Sequence, residues 1–589
     1  MSAQSRASNS PQSSVPGSAT SGAELVADML AHWRVPAVTF IPGEGILELV
    51  DALAVRAPSI RLASFRHEAG MAYAAQAIGQ LAEQPGICLA ARAPGALNTT
   101  LAVHTAYTDS APLIMIVGQA GDESSGREAM LNADDFQRVF GPLTKWVGVI
   151  DAPHRVGEML TRAWHVAMSG RRGPVVLVMP ENVATGRLDA ARAVSGTSAL
   201  PALPVLPRPA VGASDLATLR EWIATAERPV LLAGGTGWQP EALRMLTELA
   251  RRHAIPLATT YRRRDLVDHD DDGFIGEIGL GVDPTLARRI DNADLLIVLN
   301  GRLGELNTVG AGSFKGFTLL DPARCGEPDA PRLVHLHPDA DELNTVYRAQ
   351  LALQAEPNGF VQAWAQACEP SHADAWIAPA VRDVRAAWRR DARLERLRFI
   401  DSGHCEGPLD LRAVYATLDA TLAPDALVTS GAGAYAMWPQ RYLKHRRPGT
   451  QLGPKSGAMG YGLAAAIGAS LVLPGTRQIV AIAGDGCLMM HAEEIETAVR
   501  LDAPVLLIVV NNRSYGAIEG AQRRLFGRAT GTALGAIDFA AWARAFGAWG
   551  VTVEATADFA PAFNEALQRQ GVRVIELRVP SSVGKPLAS

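Results

Sequence analysis

Cysteine is scarce in this chain, and the few copies show no pairing pattern. The five cysteines are Cys88, Cys325, Cys368, Cys405 and Cys487. No CxxC pair occurs, and no histidine accompanies a cysteine at the spacing of a zinc site. The pattern favours free thiols in a reducing compartment over disulfides or zinc, so we expect a cytoplasmic protein.

The sequence also lacks an excess of positive charge. It contains 55 Lys and Arg against 60 Asp and Glu, for a formal net charge of -5. A nucleic-acid partner would require a basic face, so the charge balance argues against one.

Strongly apolar segments are missing as well. The first 22 residues are rich in serine and have no apolar stretch of the kind that a secretory signal needs, so we expect a disordered tail. Residues 456–475 carry no charge, but they are mostly glycine and alanine and are too weakly hydrophobic for a membrane span. We expect a buried helix there and no membrane partner.

What the sequence does contain is an alternation of short β-branched runs with helical patterns, which is typical of βαβ units. Uniformly apolar runs such as "PLIMIVGQ" and "PVLLIVVNN" indicate strands buried on both faces, in parallel sheets covered by helices. A chain of 589 residues is too long for one core. The predicted fold is α/β, with three consecutive doubly wound parallel-sheet domains.

A Pro-rich stretch and a charged helical stretch mark the boundaries between these domains. The predicted division is a tail at 1–22, an N-terminal domain at 23–190, a linker at 191–212, a central domain at 213–370, a helical linker at 371–405 and a C-terminal domain at 406–589.

Asp485 lies between two glycines at the point where a predicted strand turns into a helix. Ligands of open α/β sheets bind beyond the carboxyl ends of the strands, and a helix N-terminus favours phosphate. A carboxylate would repel phosphate unless a cation lay between them, so Asp485 is a candidate ligand of Mg²⁺. The alternative interpretation is an ordinary turn.

A second polar pair follows the next apolar run. Residues 487–510 separate the Gly-Asp-Gly motif from Asn511-Asn512, and this gap of 24 residues fits one crossover helix and a returning parallel strand. Asn512 should therefore lie at the same sheet edge as Asp485, where its amide oxygen could complete the metal site.

These motifs resemble the signature of the thiamine-diphosphate-dependent enzymes, and the resemblance extends from about Ala23 to Pro580. It is strongest to the acetolactate-synthase-like branch. The segments that carry it include "IPGEGILELVDAL", "RHEAGMAYAAQAIG", "APGALNTTL", "DDFQ", "GPLTKW", "SGAMGYGLAAAIGA" and "NNRSYG". The resemblance implies pyrimidine-binding, central and diphosphate-binding domains, with thiamine diphosphate and Mg²⁺ as cofactors.

The resemblance also assigns roles to individual residues. Glu68 matches the glutamate that activates the cofactor's pyrimidine ring, although a helix-start carboxylate is the alternative. Met459 matches the apolar side chain that bends the cofactor. The Gly457 carbonyl matches the group that accepts a hydrogen bond from the cofactor's exocyclic nitrogen. The remaining residues implied at the cofactor or metal are Gly431, Ala432, Gly433, Ala434, Tyr435, Gly484, Asp485, Gly486, Cys487, Asn512, Ser514, Tyr515 and Gly516, with the Ser514 carbonyl as third metal ligand.

The small residues of the helix after Glu68 favour close packing against another helix, for which a subunit interface is one candidate. The family builds its site between the first domain of one chain and the third domain of another. The resemblance thus implies a homodimer or a dimer of dimers.

Substrate contacts are assigned by the same resemblance. Gln137 is the candidate catalytic residue near the mouth of the site, and Lys145, His104 and Arg92 are candidates for substrate contact. Lys145 could equally be a solvated surface lysine, and a lone histidine is more often structural.

Arg92-Ala93 stands where acetolactate synthases usually have Ser-Gly, which puts a cation beside the pocket, and two further positions depart from those enzymes. Leu306 stands near the place of an arginine that holds the second keto acid, and Ala521 near the place of a tryptophan. Loss of the arginine removes a bidentate carboxylate contact. The expected substrate is a 2-keto acid, and these losses favour an aldehyde or a bulky donor over a second keto acid.

Several functions remain open. Acetolactate-synthase-like carboligation competes with simple 2-keto acid decarboxylation and with benzoylformate decarboxylase-like or sulfoacetaldehyde acetyltransferase-like chemistry. An inactive regulatory relative is the non-enzyme alternative. The glycines of "LAGGTG" leave FAD open, although that pattern is weak and FAD is not favoured.

Overall fold

The computed structural model describes residues 20–121, 124, 127, 131–188, 200–308, 326–327, 330–368 and 377–588. Three predicted segments lie partly outside these ranges. The undescribed parts are residues 1–19 of the tail, 191–199 of the linker and 371–376 of the helical linker. The first helix begins at Gly22, because Ser21 and Glu24 form a reciprocal capping box there.

Six parallel strands of the first domain form one sheet in the order β2-β1-β3-β4-β6-β5 within the described residues. The strands are β1 Ala37–Phe40, β2 Arg61–Ser64, β3 Gly86–Ala91, β4 Leu113–Gln119, β5 Trp146–Val149 and β6 Pro174–Pro180. The helices are α1 Gly22–His32, α2 Leu47–Arg56, α3 Glu68–Leu81, α4 Arg92–Asn98, α5 Thr100–Asp109, α6 Ala133–Phe140, α7 Val156–Met168 and α8 Glu181–Thr185.

The central domain has a second six-stranded parallel sheet in its described part, in the order β12-β11-β10-β7-β8-β9. Its strands are β7 Pro229–Ala233, β8 Leu257–Thr259, β9 Phe274–Glu277, β10 Leu295–Leu299, β11 Arg332–His337 and β12 Leu351–Gln354. Its helices are α9 Ala213–Thr225, α10 Pro240–Arg252, α11 Pro284–Asp291, α12 Glu305–Thr308 and α13 Pro357–Ala367, followed by α14 Pro379–Asp401.

The third domain repeats the strand order of the first, as β15-β14-β16-β17-β19-β18, and a short antiparallel pair joins β13 to β20. The strands are β13 Gly403–His404, β14 Leu427–Ser430, β15 Gln451–Leu452, β16 Ile479–Gly484, β17 Val505–Asn511, β18 Trp549–Val553, β19 Arg573–Arg578 and β20 Leu587–Ala588. The helices are α15 Leu411–Thr421, α16 Met437–Tyr442, α17 Tyr461–Ser470, α18 Asp485–Leu488, α19 Glu494–Arg500, α20 Gly516–Phe526, α21 Phe539–Ala545 and α22 Thr556–Gln568.

The prediction of three doubly wound parallel-sheet domains is confirmed. The strands that the sequence pattern did not predict are mostly at sheet edges: β5, β9, β12, β15 and β18 each end a sheet. Edge strands such as β12, whose residues alternate between buried and exposed, lack the continuous apolar run that marks a central strand.

The first and third domains share one hydrophobic core. A single buried cluster contains Met115 and Val117 of β4 together with Leu507 and Val509 of β17. Helices α3 and α17 lie at the centre of this cluster, and Ala69 through Gly79 of α3 are all buried. The predicted close packing of the small-residue helix is present, and its partner within this chain is α17.

The uncharged segment 456–475 contains α17, a helix of 10 residues that is buried from Tyr461 to Ala469. The expectation of a buried helix is confirmed. No helix in the described ranges is both long and apolar enough to span a membrane.

Candidate active site

Asp485 and Asn512 lie at the same edge of the third sheet. Strands β16 and β17 are parallel neighbours with Gly484 paired to Val510, so both strands deliver their following residues to one side. Asp485 is the first residue of α18, directly after β16.

The carboxylate of Asp485 is buried and incompletely hydrogen-bonded. The residue is 5% exposed, and its Oδ2 atom has no hydrogen-bond partner in the described part of the chain. Burial raises its pKa, and the backbone N–H groups of Gly486 and Arg513 oppose that effect. A buried carboxylate oxygen without a donor is costly unless a cation binds it, so this oxygen fits a metal ligand.

The side chain of Asn512 is held in one orientation. Its Nδ2 donates to the Val583 carbonyl at 3.1 Å, and its Oδ1 accepts from the Ser514 backbone N–H at 3.1 Å. An amide oxygen has two lone pairs, so one remains for a cation. The Ser514 hydroxyl donates to the Glu519 carboxylate. This bond fixes the loop in which the Ser514 backbone carbonyl would face the metal.

The loop at residues 431–435, which follows β14, is tied to the Gly-Asp-Gly motif. The Gly431 N–H donates to the Tyr435 hydroxyl at 3.0 Å, and that hydroxyl donates to Cys487 Sγ at 3.2 Å. Gly460 N–H also donates to Cys487 Sγ, at 3.3 Å. These bonds bring three of the predicted cofactor-binding segments together.

Two glycines show why the segments approach so closely. A Cβ on Gly484 would lie 2.6 Å from the Tyr435 ring, and one on Gly486 would lie 2.6 Å from the Tyr515 ring. No larger residue fits at either place without a shift. The resulting contacts fix the start of α18 against both loops.

Gly457 and Met459 belong to the same segment as Gly460, which donates to Cys487. Gly457 has a φ of +75° and no heavy atom within 4 Å of its Cβ position. Its backbone therefore faces open space in a conformation that favours glycine. Met459 is half-buried against the neighbouring core.

The remaining predicted contacts follow the same loops. A Cβ on Gly516 would lie 2.9 Å from Asn512 Nδ2 and 3.8 Å from the Ala434 Cβ. Ala432 precedes Gly433, which is exposed, and Ala434 begins a 3₁₀ turn. The predicted cofactor-binding residues of the third domain thus form one contiguous surface.

Glu68 lies apart from this surface, at the start of α3 in the first domain. Its Oε2 accepts from Asn98 Nδ2 at 2.9 Å, and a Cβ on Gly95 would lie 3.1 Å from its Oε1. These contacts lie within its own domain, and the carboxylate is partly open to solvent.

Glu494 links the third domain to the first domain just before α3 begins at Glu68. The sequence analysis did not identify this residue. This carboxylate of α19 accepts from the backbone N–H groups of His67, at 3.0 Å, and Arg66, at 3.3 Å. Burial raises its pKa to about 7. The sequence signal was the Glu493-Glu494 pair at the start of a helix, which alone is typical of a solvated helix end.

The candidate substrate residues are scattered. Arg92 starts α4, but Glu181 at 2.8 Å and Glu44 at 3.1 Å neutralise its charge. Lys145 donates to the Ser169 carbonyl at 2.6 Å, and burial lowers its pKa to about 8. Gln137 and His104 are exposed residues of the first domain.

The two departures noted in the sequence lie in different domains. Leu306 is a half-buried residue of α12 in the central domain, and Ala521 is a half-buried residue of α20, the helix that follows the Asn-Asn pair. Neither supplies a charged group.

A cavity of about 900 Å³ lies between the first and central domains. Its lining includes Arg171, Arg172, Gly235, Arg302 and Lys455. Lys455 precedes Gly457 by two residues, so the cavity is close to the surface described above. The strand order of the central sheet is that of dinucleotide-binding folds.

Metal binding by a cluster of side chains is not indicated elsewhere. Within the described ranges, no group of three or more His, Cys, Asp or Glu residues is placed to hold a metal ion. A site at Asp485 would instead combine one carboxylate with amide and carbonyl oxygens, which suits Mg²⁺.

Three domain families match the chain. The N-terminal TPP binding domain of thiamine pyrophosphate enzymes matches residues 20–139, their central domain matches 216–364, and their C-terminal TPP binding domain matches 431–577. Thiamine pyrophosphate is another name for thiamine diphosphate. The chain belongs to the thiamine pyrophosphate enzyme family.

Curated relatives refine this assignment. An acetolactate synthase of Bacillus subtilis is 28% identical over 96% of this chain and 95% of its own length. The acetolactate synthase isozyme 1 large subunit of Escherichia coli is 29% identical over 95% of this chain and 94% of its own length. The probable acetolactate synthase 2, chloroplastic, of Oryza sativa subsp. japonica is 30% identical over 84% and 72%. The chain is a thiamine diphosphate-dependent enzyme similar to acetolactate synthases.

Proposed function

We propose that this enzyme requires Mg²⁺ and acts on a 2-keto acid by decarboxylation, by acyl (acetaldehyde-type) transfer, or by both, as an acetolactate-synthase-like carboligase. The observation that carries the proposal is the buried, unpartnered oxygen of Asp485 beside Asn512 and the 431–435 loop. Its surroundings suit a divalent cation held against a diphosphate.

The proposed roles follow the positions of the residues. Asp485, Asn512 and the Ser514 carbonyl would hold Mg²⁺, and the backbone of the 431–435 loop would bind the diphosphate. When bound, the cofactor would supply a nucleophilic carbon that adds to a carbonyl, and an electron sink for the negative charge that decarboxylation leaves on the former carbonyl carbon. Glu68, oriented by Asn98, would exchange a proton with the cofactor's pyrimidine ring.

The same proposal includes a homodimer or a dimer of dimers. Glu68 makes its contacts within the first domain, whereas Asp485 of the proposed metal site lies in the third. Large apolar side chains are exposed in the segments beside both: Leu97 precedes Asn98, the partner of Glu68, and Met489 and Met490 follow α18, which begins at Asp485. A second copy that covers them would complete the site.

A decarboxylase or C–C lyase is the second candidate, because of Leu306 and Ala521. Neither residue can pair with the carboxylate of a second keto acid. The benzoylformate decarboxylase-like and sulfoacetaldehyde acetyltransferase-like activities both use this cofactor without two keto acids in one turnover.

Three further points are proposals: FAD in the cavity near Lys455, the predicted domain boundaries and a cytoplasmic location. The described cysteines Cys88, Cys368, Cys405 and Cys487 are free thiols, which supports a reducing compartment. The absorbance spectrum of purified protein tests the flavin, since a bound flavin is yellow.

The function is tested by calorimetric titration with thiamine diphosphate, with and without Mg²⁺, followed by turnover assays. A panel of 2-keto acids, alone and with aldehydes, is combined with product identification. We expect Mg²⁺-dependent binding and release of CO₂ from at least one keto acid. Binding that is independent of Mg²⁺ would contradict the metal assignment.

A further inference from the structure

An arginine of the central domain reaches into the 431–435 loop of the third domain. Arg262 follows β8, and its Nη1 donates to the Ser430 hydroxyl at 2.5 Å while its Nη2 donates to the Gly431 carbonyl at 2.8 Å. The residue is 8% exposed. One guanidinium thus binds two consecutive residues, Ser430 and Gly431, at the point where the loop begins.

The backbone at Arg262 is in an unusual conformation. Its φ is +62°, in the left-handed region that residues other than glycine rarely adopt. Its backbone N–H donates to the buried Glu277, which holds the residue in this conformation. Such a conformation costs free energy and persists when the surroundings impose it, often at functional sites.

The Arg262 guanidinium makes no ion pair with a carboxylate in the described part of the chain, although the carboxylate of Glu277 and the Tyr261 ring lie near it. The two following arginines have acidic neighbours, since Arg263 lies 3.9 Å from Asp265 and Arg264 lies 3.7 Å from Glu277. The described residues include no ion pair of the Arg262 guanidinium, whose acceptors are a hydroxyl and a carbonyl. A buried cation with neutral partners favours an anion nearby.

We infer that Arg262 is a positioning residue for the cofactor's diphosphate: it fixes the start of the 431–435 loop and supplies positive charge behind it. The inference rests on the proposed function, which places the diphosphate at this loop. The positive charge would also make the 431–435 loop more favourable for an anionic group.

The test compares ligands that differ in phosphate charge. Arg262→Gln removes the charge but keeps a hydrogen-bond donor. Arg262→Lys keeps the charge but removes the two guanidinium nitrogens that donate to Ser430 and Gly431. Calorimetry with Mg²⁺ should show about tenfold weaker binding of thiamine diphosphate to Arg262→Gln, with a smaller loss for thiamine monophosphate. Arg262→Lys should lie between this variant and the parent, and the salt dependence of binding should be shallower in Arg262→Gln.

Arg264→Gln is the matched control. Arg264 belongs to the same buried loop and also donates to third-domain carbonyls, those of Gln440 and Leu443, but not to the 431–435 loop. If both Gln variants lost diphosphate and monophosphate binding equally, Arg262 would serve only to dock the domains and the inference would be overturned. Parent-like diphosphate affinity in Arg262→Lys and Arg262→Gln would overturn it as well. A parent enzyme that does not bind thiamine diphosphate would overturn the proposed function itself.

Discussion

Among the individual residues, Asp485 shows the clearest conflict between stability and function. Its Oδ2 atom is buried without a hydrogen-bond donor in the described residues. An unsatisfied buried polar atom costs about 1–3 kcal/mol, and more for a charged group. A cation at this oxygen would offset that cost, which is why we assign the residue to the metal.

Asp485→Ala should therefore abolish Mg²⁺-dependent cofactor binding and leave the stability of the cofactor-free protein unchanged or higher. Calorimetry and thermal unfolding measure the two effects. Asp538→Ala, at an exposed helix cap of the same domain, is the control and should bind cofactor normally. Unchanged cofactor binding by Asp485→Ala would refute the assignment.

Glu68 is expected to act on the cofactor rather than only to begin α3. Glu68→Gln should retain cofactor but slow hydrogen–deuterium exchange at the thiazolium C2 by ~10²–10⁴-fold, since acid–base assistance is lost. NMR of the exchange reaction measures this rate. Glu44→Gln, which loses only the pair with Arg92, should exchange at the parent rate. Parent-like exchange in Glu68→Gln would leave Glu68 a structural carboxylate.

At the scale of elements, α3 and α17 determine how the first domain packs on the third. Their small residues let the two backbones approach, and a Cβ on Gly468 of α17 would lie 2.3 Å from the Ala74 carbonyl oxygen of α3. Because the neighbouring atoms are backbone, neither helix can yield by a side-chain rotation. Overpacking of this kind typically costs about 1–3 kcal/mol.

Gly468→Ala should lower the melting temperature, although alanine has the higher helix propensity. Gly475→Ala is the matched control, because no heavy atom lies within 4 Å of its Cβ position. Differential scanning calorimetry of both variants tests the contact. Equal stability of Gly468→Ala and the parent would mean that the two helices separate at little cost.

Glu494 connects α19 to the N-terminus of α3 and should make this contact pH-dependent. Burial raises its pKa from 4.5 to about 7. For an acid whose pKa is raised on folding, the stabilisation is present below the unfolded pKa and is lost as the pH rises through the folded one. The groups that face it are the Arg66 and His67 N–H groups, the Thr497 hydroxyl and Glu493.

Thermal unfolding between pH 5 and pH 8 should thus show the parent losing stability more steeply than Glu494→Gln. The amide keeps an acceptor for the two N–H groups but does not ionise. Glu496→Gln, whose carboxylate pairs with Arg500 on the surface, should follow the parent. Identical pH profiles for the parent and Glu494→Gln would exclude Glu494 as the source of the dependence.

For the molecule as a whole, the residues that we propose to set the choice of acceptor come from different domains. Leu306 lies in the central domain and Ala521 in the third, while Arg92, in the first, is paired with two glutamates. None of the three offers a free cation to a second keto acid. A missing charge-assisted contact costs about 1.5–3 kcal/mol.

Acetolactate formation from pyruvate alone should therefore be poor, and a neutral aldehyde should raise turnover. Product analysis by chromatography, with and without aldehyde, measures the ratio. Leu306→Arg should shift the ratio towards acetolactate, whereas Leu303→Arg, in the partly buried segment before α12, should not. Efficient acetolactate synthesis by the parent without a gain from any aldehyde would show that another cation, Arg92 foremost, holds the second keto acid.

The sequence by itself determined the three-domain α/β fold and the central strands of each sheet, because buried parallel strands are continuous apolar runs. It also brought Asp485 and Asn512 to one edge, because strand, helix and gap lengths constrain neighbouring parallel strands. These are local features, and local spacing is sufficient to read them.

Only the tertiary structure decided which surfaces meet. Arg262 reaches Ser430 across 168 positions, and Glu494 reaches His67 across 427. The tertiary structure likewise pairs α3 with α17 of the same chain and places Glu44 and Glu181 against Arg92. The physical reason is that such contacts depend on how the sheets pack against one another, and side-chain spacing along the chain carries no record of that arrangement.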